Sequence, residues 1–75
     1  ELRRLQRKES ELLTEIDTTE QKIKALQAAL ARPENYSNPA KAKELHATIQ
    51  ETEKTLTELH TAWETVAEQL SHFEN

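Results

Sequence analysis

Seventy-five residues with a net charge of −4, no glycine, no cysteine and three aromatic side chains argue against a compact enzyme. A chain this short buries only about 60% of its unfolded surface, and with no cysteine for a disulfide a very regular helical arrangement is the expected way to stable folding. The absence of glycine also counts against turn-rich β architectures and phosphate-cradling loops, which need left-handed backbone or close backbone approach.

The first half carries a seam at Leu2, Leu5, Glu9, Leu12, Ile16, Thr19, Ile23, Leu26 and Leu30, in unbroken alternating steps of three and four. That phase predicts a long amphipathic helix over about residues 1–32. A connector follows, Ala31-Arg32-Pro33-Glu34-Asn35-Tyr36-Ser37-Asn38-Pro39, which holds both prolines. Pro33 removes a donor and disfavours helical geometry at Arg32, so a loop is expected over about 33–38. Asn38 or Ser37 can accept from the first N–H groups of a second helix, with Pro39 suited to its first position.

That second helix is expected over about 39–74, with a seam at Ala42, Leu45, Ile49, Thr52, Leu56, Leu59, Trp63, Val66, Leu70 and Phe73. Two long amphipathic helices joined by a short connector predict an all-α fold, a two-helix antiparallel coiled-coil hairpin forming a single domain. Trp63 and Phe73 are the expected largest contributors to its packing, and Trp63→Ala would cost about 3 to 5 kcal/mol if the indole is fully packed. Glu9, Thr19 and Thr52 are the polar seam positions, best read as register-setting residues. If facing residue numbers sum to 72, Glu9 meets Trp63 and Thr19 lies near Thr52; if they sum to 75, Glu9 faces Val66. The first pairing is preferred here because two hydroxyls can then satisfy each other.

No catalytic or metal constellation is legible. His46, His60 and His72 lack the three- or four-residue spacing of helical metal ligands, and Ser10, Ser37 and Ser71 have no His and Asp partners. The expectation is therefore no catalytic residue, no metal and no cofactor within this chain. No apolar run approaches the roughly 20 residues of a membrane span, and no signal peptide is recognisable. With no Met anywhere, the chain reads as a domain from a longer cytoplasmic protein, monomeric when isolated.

Charge is unevenly placed: residues 1–8 carry +3, 9–31 carry −3, 32–43 carry +2 and 44–75 carry −6. The acid belongs mostly to the second helix. Arg3, Arg4, Arg7 and Lys8 collect at the open base of the hairpin, and Arg32, Lys41 and Lys43 around its tip. Those basic ends could touch phosphates even though the rod as a whole would repel nucleic acid. Tyr36, between Asn35 and Asn38, has two readings. One is a staple folded over Ala31 and the Lys43 stem, the usual fate of a lone loop aromatic; the other is an exposed stacking group. Against a nucleic-acid role stands a second class, a structural or protein-docking hairpin. A transfer-RNA-binding arm fits less well, since such arms are usually more basic.

The run Leu30-Ala31-Arg32-Pro33-Glu34-Asn35-Tyr36-Ser37-Asn38-Pro39-Ala40-Lys41, followed by a leucine heptad and by Thr61-Ala62-Trp63-Glu64, resembles the C-terminal coiled-coil domain of ABC-F proteins. The resemblance runs from Glu1-Leu2-Arg3-Arg4 to Glu68-Gln69-Leu70. Glu9 and Thr19 depart from it, standing where the family more often has Leu. It implies a parent with two ATP-binding cassettes, which would hold ATP and Mg, and no transmembrane domain. Such parents act on ribosomes or, in Uup-type members, are associated with DNA, and the implied partners are DNA or ribosomal RNA together with the parent's cassettes. The nucleotide-binding motifs would lie outside this chain.

Overall fold

The computed structural model describes residues 1–74, arranged as α1 (Leu2–Leu30), a single-turn α2 (Pro33–Tyr36) and α3 (Pro39–Glu74). α1 folds back antiparallel along α3, giving a helical hairpin 55 Å long and about 15 Å across. At about 1.5 Å per residue, the 36 residues of α3 alone account for that length. The radius of gyration is 16.9 Å, against about 11 Å for a compact chain of this size. The molecule is therefore a rod.

The turn departs from the expected loop. α1 stops at Leu30, and Arg32, immediately before Pro33, takes an extended backbone with φ −74° and ψ 132°. The chain then rewinds, because Pro33 is preorganised for a first helical position. The N–H groups of Asn35 and Tyr36 both donate to the Arg32 carbonyl, at 2.9 and 3.0 Å, and that of Ser37 to Pro33 at 3.1 Å. Asn35 Nδ2 donates to the Ala29 carbonyl at 2.6 Å, which also accepts from the Arg32 N–H at 3.2 Å, tying the turn to the end of α1. Asn38 provides the cap of α3: its Oδ1 accepts from the Lys41 N–H at 3.2 Å, with Pro39 next to it. Ser37 does not cap; its hydroxyl donates to the Pro33 carbonyl. No described residue has a positive φ, which is how the chain reverses direction without glycine.

The core follows the heptad seam. Leu12, Ile16, Ile23, Ile49, Thr52 and Val66 are buried, and most other seam residues are half-buried. Among the described residues no large side chain is completely enclosed, since a two-helix seam has solvent on both flanks. At the open end the seam splays, leaving Leu2 41% and Phe73 50% exposed. Phe73 is thus not one of the principal packing residues. Trp63 is half-buried, and its enclosed indole Nε1 has no hydrogen-bond partner.

At the open end Leu2, Gln6 and Glu9 of α1 border one groove with Ala67, Leu70 and Phe73 of α3. Thr19 and Thr52 do border a common groove. The Thr52 hydroxyl, however, gives its single proton to the Thr48 carbonyl at 2.7 Å, so it does not donate across the seam. This back-bonding recurs along α3 at Thr48, Thr55, Thr57, Thr61 and Thr65, each donating to the carbonyl four residues earlier. Every one of these hydroxyls is satisfied within its own helix, which is how a β-branched, weakly helix-favouring residue is tolerated six times there.

Candidate functional site

The sequence-predicted residues fall into two groups at opposite ends of the rod. At the tip, Arg32 caps α2, Tyr36 ends it, and Lys41 and Lys43 stand in the opening turns of α3. All four are exposed. Arg32 meets Glu34 at 3.9 Å, but both side chains are about two-thirds exposed, so water screens the pair and the guanidinium stays available. Tyr36 is 59% exposed, and the expectation of a packed staple is corrected: Asn35 does the stapling, and the phenol ring projects from the tip. The same bond removes Asn35 from the list of free polar groups beside the tyrosine.

At the base, Arg3, Arg4, Arg7 and Lys8 are all exposed, and none forms an ion pair among the described residues. Arg3 lies above Arg7, and Arg4 above Lys8, four residues apart on adjacent strips of α1. Neither α1 nor α3 carries an acidic residue in its first turn. Arg3, Arg4 and Lys41 therefore stand at the positive ends of helix dipoles, where a cation is unfavourable by about 0.3 to 1 kcal/mol. Their placement works against helix stability.

One exposed side chain lay outside the sequence-predicted set. Leu13, 47% exposed, occupies the strip flanking the seam, one heptad beyond Gln6, on the side where Gln6, Ala67 and Leu70 border the basal groove. Its signal was present, an apolar residue off the seam, but the heptad reading counts only seam positions.

His46, His60 and His72 are exposed, and no group of three or more metal-ligating side chains gathers among the described residues. The grooves beside the seam are open to solvent and lined by Thr, Lys and Glu as much as by apolar groups. They offer surface contacts and no enclosed chamber.

No described helix is long and apolar enough to cross a membrane. Neither a curated protein nor a solved structure matches this chain. A family model described as the ABC transporter C-terminal domain matches residues 2–68, spanning α1, the turn and most of α3. This agrees with the resemblance carried by the proline-tyrosine turn and the heptads, and it makes the hairpin an accessory domain of an ABC protein. The chain belongs to the ABC transporter C-terminal domain family.

Proposed function

We propose that this domain gives a cytoplasmic ABC-F type ATPase a contact to nucleic acid, duplex DNA or a ribosomal RNA helix, through the tip of the hairpin. The observation that carries the reading is the exposed Tyr36 ring among the cations Arg32, Lys41 and Lys43. Cations supply the sequence-independent attraction to phosphate, and the ring supplies a stacking face for an unpaired or terminal base. The acidic remainder of α3 repels the rest of the polyanion and confines the contact to the end. Arg3, Arg4, Arg7 and Lys8 form a second cationic cluster able to meet phosphate. ATP and Mg belong to the parent's cassettes, and this domain contributes position.

The test is a residue-resolved NMR titration with DNA duplexes and ribosomal RNA helices at about 50 and 200 mM salt. Three phosphate contacts give a duplex affinity that falls about 40-fold across that range. Shifts should concentrate at Arg32, Tyr36, Lys41 and Lys43, and the triple variant Arg32→Ala, Lys41→Ala, Lys43→Ala should lose binding while keeping its helical circular dichroism. Unchanged binding by that variant would sink the proposal. A second reading, a protein-docking hairpin, is favoured by the exposed apolar side chains at the base.

A further inference from the structure

The tip presents a single aromatic ring. Tyr36, 59% exposed, stands in the turn that closes the rod, and the next aromatic side chain in the chain, Trp63, is half-buried in the seam. Trp63 lies well down α3, about 36 Å beyond its start at Pro39. Arg32 is one helical turn from Tyr36, its carbonyl accepting the Tyr36 N–H at 3.0 Å. Lys41 and Lys43 are exposed on either side of half-buried Ala42, so they flank the seam on its two borders. Glu34 is the only carboxylate from Arg32 to Lys43. The rod that carries these groups is 15 × 14 Å in section. That is wider than the roughly 12 Å major groove and the roughly 6 Å minor groove of B-form DNA. In an A-form RNA helix the major groove is closed to side chains, and the shallow minor groove offers base edges rather than faces.

We infer that the tip caps the open end of a nucleic-acid duplex, with Tyr36 stacked on the free face of the terminal base pair and Arg32, Lys41 and Lys43 against the phosphates nearest that end. The inference rests on the reading of the tip as a nucleic-acid contact and narrows it to one substrate class. Base pairs inside a duplex have both faces stacked, so a ring enters there only by prising a step apart. Proteins that do so offset the cost by wrapping the bent duplex over a large surface. A tip 15 Å wide with an acidic helix behind it has no such surface. A terminal pair leaves one face free, and a ring covers it with no step broken. A single strand is the poorer partner, because single-strand binders stack successive bases on successive aromatics and this tip has one ring. Carried past the tip, a strand would run along α3, where residues 44–75 carry −6. A duplex met end-on leads away from the rod, which keeps the polyanion and the acidic helix apart.

The experiment compares open duplexes of about 12 and about 36 base pairs with a short stem closed by loops at both ends, each made as DNA and as RNA, at about 50 mM salt. Binding is followed through the Tyr36 ring signals in NMR, which report the tip alone. On the open duplexes the ring protons should move upfield, the ring-current signature of stacking, and the affinity expressed per duplex end should be the same at both lengths. The closed stem should bind at least about fivefold more weakly. Tyr36→Ala should lower binding of the open duplexes to the level of the closed stem with helical circular dichroism retained, and Tyr36→Phe should bind as the parent does. End-limited binding of only one of the two acids supports the inference and identifies the backbone preferred. Affinity that grows in proportion to duplex length, or a closed stem bound as tightly as the open one, overturns the inference and leaves the tip as a phosphate contact. A single strand bound more tightly than the duplex of the same sequence also overturns it. Absence of binding to every probe overturns this inference and the reading beneath it together.

Discussion

At the scale of single residues, Trp63 and Thr52 show how a two-helix seam weighs size against satisfaction. The indole is the largest seam side chain, but it is half-buried and its enclosed Nε1 lacks an acceptor. Trp63→Ala is therefore expected at about 2 to 3 kcal/mol, below the cost of a fully packed tryptophan. Trp63→Phe keeps a ring in the seam and removes an unsatisfied donor, and should fall within about 1 kcal/mol of the parent in urea denaturation. Thr52 is more deeply buried than Trp63, and its hydroxyl bonds a carbonyl of its own helix. Thr52→Val should leave stability unchanged or raise it by up to about 1 kcal/mol, since no partner is stranded. A loss of 2 kcal/mol would mean that the hydroxyl contributes to packing across the seam. Ile16→Ala, in contrast, opens the buried middle of α1 and should cost about 2 to 5 kcal/mol.

At the scale of elements, the helices were legible and the turn only partly so. A three-four alternation sustained across each arm is a long signal, and nearly all of its positions are at least half-buried. Prolines marked where the helices stop and restart. What a local reading missed was that Pro33 starts a turn as readily as it ends a helix, and that Asn35 reaches back to Ala29. Both depend on the return angle of the two arms, which no short window contains. Once Asn35 holds the turn, Tyr36 is released to solvent. Asn38→Ala removes the accepting oxygen of the α3 cap and should lower stability by about 1 kcal/mol, read from the thermal midpoint. Asn35→Ala should cost a similar amount and also broaden the tip resonances, because the Ala29 carbonyl then keeps only the Arg32 N–H and the side-chain tie between the turn and α1 is lost.

At the scale of the whole molecule, register and charge placement decide what the hairpin presents. Composition did not fix register, and the hydrogen bond that the Thr pairing offered is not made by Thr52, whose hydroxyl donates within its own helix. The concentration of acid on the second helix, and of cations near the two ends, was legible, because it is a property of the chain order once a hairpin is assumed. Small-angle scattering should return a radius of gyration near 16.9 Å, and a value close to that of a compact globule would contradict the extended hairpin.

The glycine-free turn and the uninterrupted 36-residue α3 have a mechanical corollary. With no kink-forming residue inside either arm, the rod behaves as a stiff pointer rather than a tether. A tilt of a tenth of a radian at the anchored end sweeps the far end sideways by a tenth of its 55 Å length, about 5 Å. Whatever grips the end bearing Leu2 and Phe73 therefore aims the end bearing Tyr36, and small rotations at the grip become displacements as large as a base-pair step.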